Sequence, residues 1–165
     1  MDRLILMRHG DAESGSLSGE DFDRNLTAVG ERESREVAGR LADMGLSPDL
    51  ALVSDAARAR QTWTCASSAF PGARAVYIRD LYLASPEAIL EVVARESPPA
   101  RTVIVIGHNP GLQELAVELL SRASAPPHAT GRAQARFPTA AAGVFLFDEN
   151  GRPWFDGLFL PSGGF

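Results

Sequence analysis

The chain has 165 residues, the length of one compact domain, and its 45% hydrophobic and 22% charged residues are those of an ordinary globular protein. Its 16 basic residues against 21 acidic ones leave a formal charge of −5, which argues against a nucleic-acid partner. Every basic residue is Arg, so a Schiff-base lysine, a lysine general base and a Walker-type phosphate loop are all excluded. The single Cys, Cys65, has no partner for an internal disulfide and reads as a small packed side chain. The first apolar run is too short for a signal-peptide core or a membrane span. One cytoplasmic domain covering 1–165 is therefore expected.

Leu4-Ile5-Leu6-Met7 is that run, and its continuity predicts a strand buried on both faces of a parallel sheet. A polar, Gly- and Ser-rich stretch over 10–23 reads as loop, with Glu13, Asp21 and Asp23 solvated. Val37, Leu41 and Met44 then recur at helical spacing, from a start marked by Thr27, Gly30 and Glu31 to a stop at Gly45. Leu50-Ala51-Leu52-Val53 is a second strand, followed by a helix over 56–69 that Pro71-Gly72 closes. Trp63 and Phe70 on that segment read as core.

Ala75-Val76-Tyr77-Ile78 is a third strand, and Pro86 opens a helix to Arg95 with Ile89, Leu90 and Val93 on one face. Val103-Ile104-Val105-Ile106 is the clearest strand. Beyond it Leu112, Leu115, Ala116, Leu119 and Leu120 mark a strongly amphipathic helix. The segment 122–142 has no period and is expected to be a functional loop or disordered. Val144 to Phe147 and Trp154 to Leu160, joined by an Asp148-Glu149-Asn150-Gly151 turn, form a hairpin. Alternating strands and helices predict a three-layer α/β/α sandwich on a mostly parallel central sheet with an antiparallel edge strand.

In such a sheet ligands bind beyond the carboxyl ends of the strands. Arg8-His9-Gly10-Asp11 follows the first strand, Ser54-Asp55 with Arg58 and Arg60 follows the second, and Gly107-His108-Asn109 follows the fourth. Two His and two Arg thus converge on one edge, while His128 lies apart and reads as exposed. Arg forks suit the oxygens of an oxyanion, and helix N-termini at Ala56 and Pro110 point free amides the same way. Gly10 and Gly107 let the backbone pass close to a bound group. A neutral imidazole among cations is a competent nucleophile, and a protonated His108 would stabilise charge that builds in a transition state. Arg60, two positions from Arg58, reads as a solvated helix residue.

Met7-Arg8-His9-Gly10-Asp11-Ala12-Glu13 resembles the signature of the histidine phosphatase superfamily, which includes the cofactor-dependent phosphoglycerate mutases. Ser54-Asp55-Ala56-Ala57-Arg58-Ala59-Arg60-Gln61-Thr62 is similar to its second Arg motif. Val105-Ile106-Gly107-His108-Asn109-Pro110-Gly111 is similar to its second His motif, and Arg24-Asn25-Leu26-Thr27-Ala28-Val29-Gly30 to the segment before its first helix. Leu81-Tyr82-Leu83-Ala84-Ser85-Pro86-Glu87 and Phe137-Pro138-Thr139-Ala140 resemble the SixA-like phosphohistidine phosphatases in particular.

The resemblance implies a phosphoglycerate mutase-like fold with His9 as a transiently phosphorylated nucleophile. It implies Arg8, Arg58 and His108 as the rest of a phosphate pocket, with Asn109 and the Gly10 backbone beside them. No metal or other cofactor is implied. The substrate would be a phosphorylated protein carrying phosphohistidine, or a small phosphorylated compound, with neither nucleic acid nor membrane as partner. Mutases and broad phosphomonoesterases of the superfamily carry a Glu after the third strand, where this chain reads Leu81-Tyr82-Leu83-Ala84. Asp11, Asp80 and Glu87 lie nearby as candidate acids. The alternatives are a small-molecule phosphomonoesterase, a mutase-like enzyme, or a silent phosphate-binding module. Metal binding by His9, Asp11 and His108 fits their spacing but not the crowd of Arg.

Overall fold

The computed structural model describes residues 1–162. Six strands, β1 (Arg3–Arg8), β2 (Leu50–Ser54), β3 (Arg74–Ile78), β4 (Thr102–Gly107), β5 (Ala142–Phe147) and β6 (Pro153–Phe159), form one sheet in the order β3-β2-β4-β1-β5-β6. The pairs β3–β2, β2–β4 and β4–β1 are parallel, whereas β1–β5 and β5–β6 are antiparallel. The central strands read as unbroken apolar runs because both sheet faces are covered. Leu4 to Met7 and Val103 to Ile106 are all fully buried. Each such aliphatic side chain contributes about 1.5–3 kcal/mol on burial.

The helices α1 (Ala28–Asp43), α2 (Ala57–Ala66), α3 (Pro86–Glu96), α4 (Gly111–Arg122) and α5 (Pro127–Ala135) divide between the two faces. Ile5, Met7, Ala51, Val53, Ile104 and Ile106 pack against Val37 and Leu41 of α1 and Trp63 of α2, with Phe70 stacked on Trp63. Leu4, Leu6, Leu52, Val103 and Val105 pack against α3, α4 and α5. This is the expected three-layer sandwich. Thr27 caps α1 by accepting from the Gly30 amide, and Ser85 caps α3 at Ala88 with Pro86 in the first turn.

One segment departs from expectation. The aperiodic stretch 122–142 contains α5, which buries only Ala129 and Ala133, one turn apart. Alanines at that spacing leave no hydrophobic signature, so the helix is invisible to a periodicity reading. The rest of the segment runs beside the end of β1: the Ala140 amide donates to the His9 carbonyl at 3.0 Å and the Arg8 amide to the Ala141 carbonyl at 2.9 Å. Trp154 is exposed on β6, and neither it nor Phe155 lines the cleft described below.

Candidate active site

Strand register brings the two histidines together. Arg8 pairs with Gly107 as β1 and β4 end side by side, and the His9 amide donates to the Gly107 carbonyl at 3.0 Å. His9 and His108 therefore leave adjacent strand ends, their rings tilted with centroids 5.1 Å apart. Arg58 enters from the first turn of α2, behind β2, and is 2% exposed. Arg8, His9, Arg58, His108 and Asn109 all line one open cleft of about 380 Å³, with Asp11, Ala12, Asp21, Arg24, Leu83 and Thr139 completing the wall.

Gly10 turns the chain away from His9 at close quarters. A Cβ on it would lie 2.6 Å from the Gly30 carbonyl oxygen, and a Cβ on Gly30 would lie 2.1 Å from that of Asp11. Each would meet backbone that has nowhere to move. The contact locks the loop after β1 onto the start of α1. The Gly10 amide donates to Thr62 of α2 at 2.9 Å, which ties the same loop to the helix carrying Arg58.

The hydrogen bonds determine the tautomer of His9. Its Nδ1 lies 2.7 Å from the Gly10 carbonyl, which can only accept, so Nδ1 carries the proton. Its Nε2 lies 3.2 Å from Arg58 Nε–H, which can only donate, so Nε2 presents its lone pair. Burial pushes the His9 pKa down to about 3, against the bond to Gly10 and with the neighbouring Arg58, Arg8 and Arg24 cations adding to it. Burial also takes His108 down to about 3, with His9 and Arg58 contributing. His108 Nε2 meets Ser54 Oγ at 2.7 Å, while its Nδ1 is buried without a partner among the described residues.

Both imidazoles are thus neutral in the folded chain at neutral pH and take up protons far more readily when unfolded. Their folded pKa values lie below the ordinary value near 6.5, so the unfolded state binds more protons between pH 6.5 and 3. Stability from this source is complete above pH 6.5 and falls as the pH drops through that window. The expected slope reaches about 1.4 kcal/mol per pH unit for each imidazole. Denaturant titrations at pH 7, 6, 5 and 4 should show the loss, and it should be shallower in His108→Asn. A stability flat across that range would contradict the buried neutral pair.

The Arg residues are held by carbonyls and one carboxylate. Arg8 Nη1 donates to the Phe137 carbonyl at 3.1 Å, and Asn109 Nδ2 donates to the same oxygen at 2.9 Å. Arg58 Nη1 donates to the Asp21 carbonyl at 2.8 Å and Nη2 to the Asp21 carboxylate at 3.1 Å. Arg24 Nε reaches the other carboxylate oxygen of Asp21 at 2.9 Å. The Tyr82 hydroxyl also donates to Asp21 and, with both Arg, holds its carboxyl down to about 2. Asp21 is therefore not merely a solvated loop residue. It is half-exposed, but it clamps Arg58, Arg24 and Tyr82 across one end of the cleft.

Arg24 and Asp21 are site residues that position after a strand does not reveal. The signal was the polar segment before α1, which only the fold brings to the cleft. Asp11 lines the cleft and accepts from Thr27 Oγ1 at 2.7 Å. Asp80 pairs with Arg95 on the surface, and Glu87 lies exposed on α3 outside the lining. Arg60 lies on the surface, paired with Asp55 and stacked over Tyr77, and His128 is exposed on α5. Among the described residues no three His, Cys, Asp or Glu side chains gather in the manner of a metal site, and no helix is long and apolar enough to cross a membrane.

Residues 4–81 match the model of the histidine phosphatase superfamily, branch 1. An uncharacterized chloroplastic protein of Arabidopsis thaliana is 34% identical over 132 residues, which cover 74% of this chain and 60% of that protein, so the chain spans about three-fifths of that relative. A structure from Agrobacterium tumefaciens, assigned as a SixA phosphohistidine phosphatase, superposes with a TM-score of 0.83 at 30% identity, covering 97% of this chain and 98% of the other. The protein histidine phosphatase SixA in complex with tungstate gives 0.78 at 27% identity, covering 98% of each chain. The chain belongs to the histidine phosphatase superfamily and is a SixA-like member with the phosphoglycerate mutase-like fold.

Proposed function

We propose that the chain is a protein phosphohistidine phosphatase that works through a phosphoryl group carried on His9. The carrying observation is the state of that imidazole: neutral, with Nδ1 satisfied by Gly10 and the Nε2 lone pair facing Arg58. The Nε2 lone pair forms a bond to phosphorus as the substrate's P–N bond breaks. The departing ring nitrogen keeps that electron pair, and with a proton already on its other nitrogen the ring leaves as neutral imidazole. Water then attacks phosphorus, the P–Nε2 bond breaks, and the electron pair returns to His9. Arg8, Arg58 and His108 hold the phosphoryl oxygens with Asn109 at the edge, whereas Gly10, expected beside them, lies outside the cleft lining with its amide bonded to Thr62 and its carbonyl to His9. The tungstate bound by the related SixA is an oxyanion of similar shape and charge, which supports this use of the cleft.

The preference for P–N over P–O cleavage rests on the acids at hand. A departing alkoxide needs a proton in the transition state, whereas a protonated imidazole does not. Asp21 is held ionised by Tyr82, Arg24 and Arg58, and Asp11 is occupied by Thr27. Neither Asp80 nor Glu87 lines the cleft. With no acid poised to donate among the described residues, a phosphohistidine-bearing protein should exceed a phosphoserine peptide in kcat/KM by about 10²-fold or more. Acid-labile, base-stable phosphate should appear on His9 after rapid quenching. Equal rates on the two substrates, or a quench without such phosphate, would overturn the reading.

A further inference from the structure

Within this phosphohistidine reading, we infer that Leu83 is a specificity-determining residue, an apolar lip that receives the imidazole ring of the leaving group. Among the described residues, Leu83 is the one large apolar side chain lining the cleft, facing a wall otherwise made of charged, polar or small groups. It remains 54% exposed, so its side chain has apolar surface to offer. Its backbone has a φ of +51°, a left-handed conformation that costs a branched aliphatic residue free energy and that Gly or Asn adopts more easily. A strained residue persists where its surroundings over-determine it, and such residues gather at ligand sites.

Here the surroundings are visible on both sides. Before Leu83, the Tyr82 amide bonds to the Arg79 carbonyl at 2.9 Å and the Tyr82 hydroxyl is fixed on Asp21. After it, Ala84 is buried, and its carbonyl sits so close to Gly111 that a Cβ there would lie 1.8 Å away. The turn is wedged between the Asp21 clamp and the start of α4. Neither constraint requires a leucine at the apex, and a hydrophobic group held in solvent at a strained position is the expensive choice for structure alone. Its placement suits a flat ring with apolar faces. An anionic phosphoryl group in the Arg and His pocket would leave the ring it departs from at the cleft mouth, against Leu83.

The test uses Leu83→Gly and Leu83→Asn, both compatible with the positive φ, so that the turn is kept and folding is not impaired. Each is compared with the parent on free phosphohistidine and on phosphoramidate, which presents the same P–N bond without a ring. KM for phosphohistidine should rise about tenfold in both variants while phosphoramidate changes less than about twofold, as for loss of one apolar contact. Equal changes on both substrates, or an unchanged KM for phosphohistidine, overturn the assignment. Failure of the parent itself to hydrolyse either compound would instead refute the phosphohistidine reading, and that outcome is read in the parent alone.

Discussion

His9→Ala should lower kcat for phosphohistidine hydrolysis by about 10⁴-fold or more and abolish the acid-labile phosphoenzyme. The size follows from the proposed role: the variant would lose the atom to which phosphorus is transferred, not one of several hydrogen bonds to it. Binding of phosphate should survive, because the Arg8, Arg58 and His108 side chains line the cleft without depending on the His9 ring. The fold should survive as well. Among the described residues the His9 side chain bonds only to its own neighbour Gly10 and to Arg58, while its backbone is held by the Gly107 carbonyl and the Ala140 amide. What the variant leaves behind is Arg58 Nε without an acceptor, a loss of about 1–3 kcal/mol that water in the vacated space reduces. Rapid-quench labelling and inorganic phosphate titration on parent and variant separate the two effects. A variant that still turns over at the parent rate would remove His9 from the chemistry.

The parts of this site that the sequence makes legible are those governed by local rules. Arg8, His9 and His108 follow unbroken apolar runs, and a residue following a buried parallel strand lies at the ligand edge whatever the rest of the fold does. Arg58 is legible for the same reason, one helical turn past β2. Asp21, Arg24 and Tyr82 are different. The loop with Asp21 and Arg24 is polar, neither it nor the short turn with Tyr82 carries a period, and only the tertiary closure of 10–27 against α2 and the turn after β3 sets Asp21 against Arg58. α5 was hidden for another reason: a helix buried through two alanines has nothing for a hydrophobic period to show. The strain at Leu83 also has no sequence signal, since left-handed backbone is advertised by Gly or Asn and not by Leu.

Arg58→Met should cost about 10²–10³-fold in kcat/KM while leaving the folded state as stable as the parent or more so. The two halves have one cause. Arg58 is almost entirely buried, and its Nε is used on the neutral His9 nitrogen, so its charge is answered chiefly by a half-exposed Asp21. A buried guanidinium with a screened partner gains little for stability, and an apolar stem of similar length avoids its desolvation. Catalysis meets the opposite balance. The same low dielectric strengthens the attraction between the guanidinium and a phosphoryl group gathering charge, and the Nε–H that holds His9 Nε2 unprotonated sets the nucleophile's tautomer. Removing the cation also removes one of the influences that lower both imidazole pKa values, so the acid loss of stability between pH 6.5 and 3 should become shallower in Arg58→Met. Asp21 should stay ionised through Tyr82 and Arg24, which keeps the cleft mouth intact and confines the effect to the phosphoryl pocket. Steady-state kinetics beside denaturant melts at pH 7 and pH 5 check all three parts. A variant that loses stability and activity in proportion would mean that Arg58 is buried for the fold and not for the substrate.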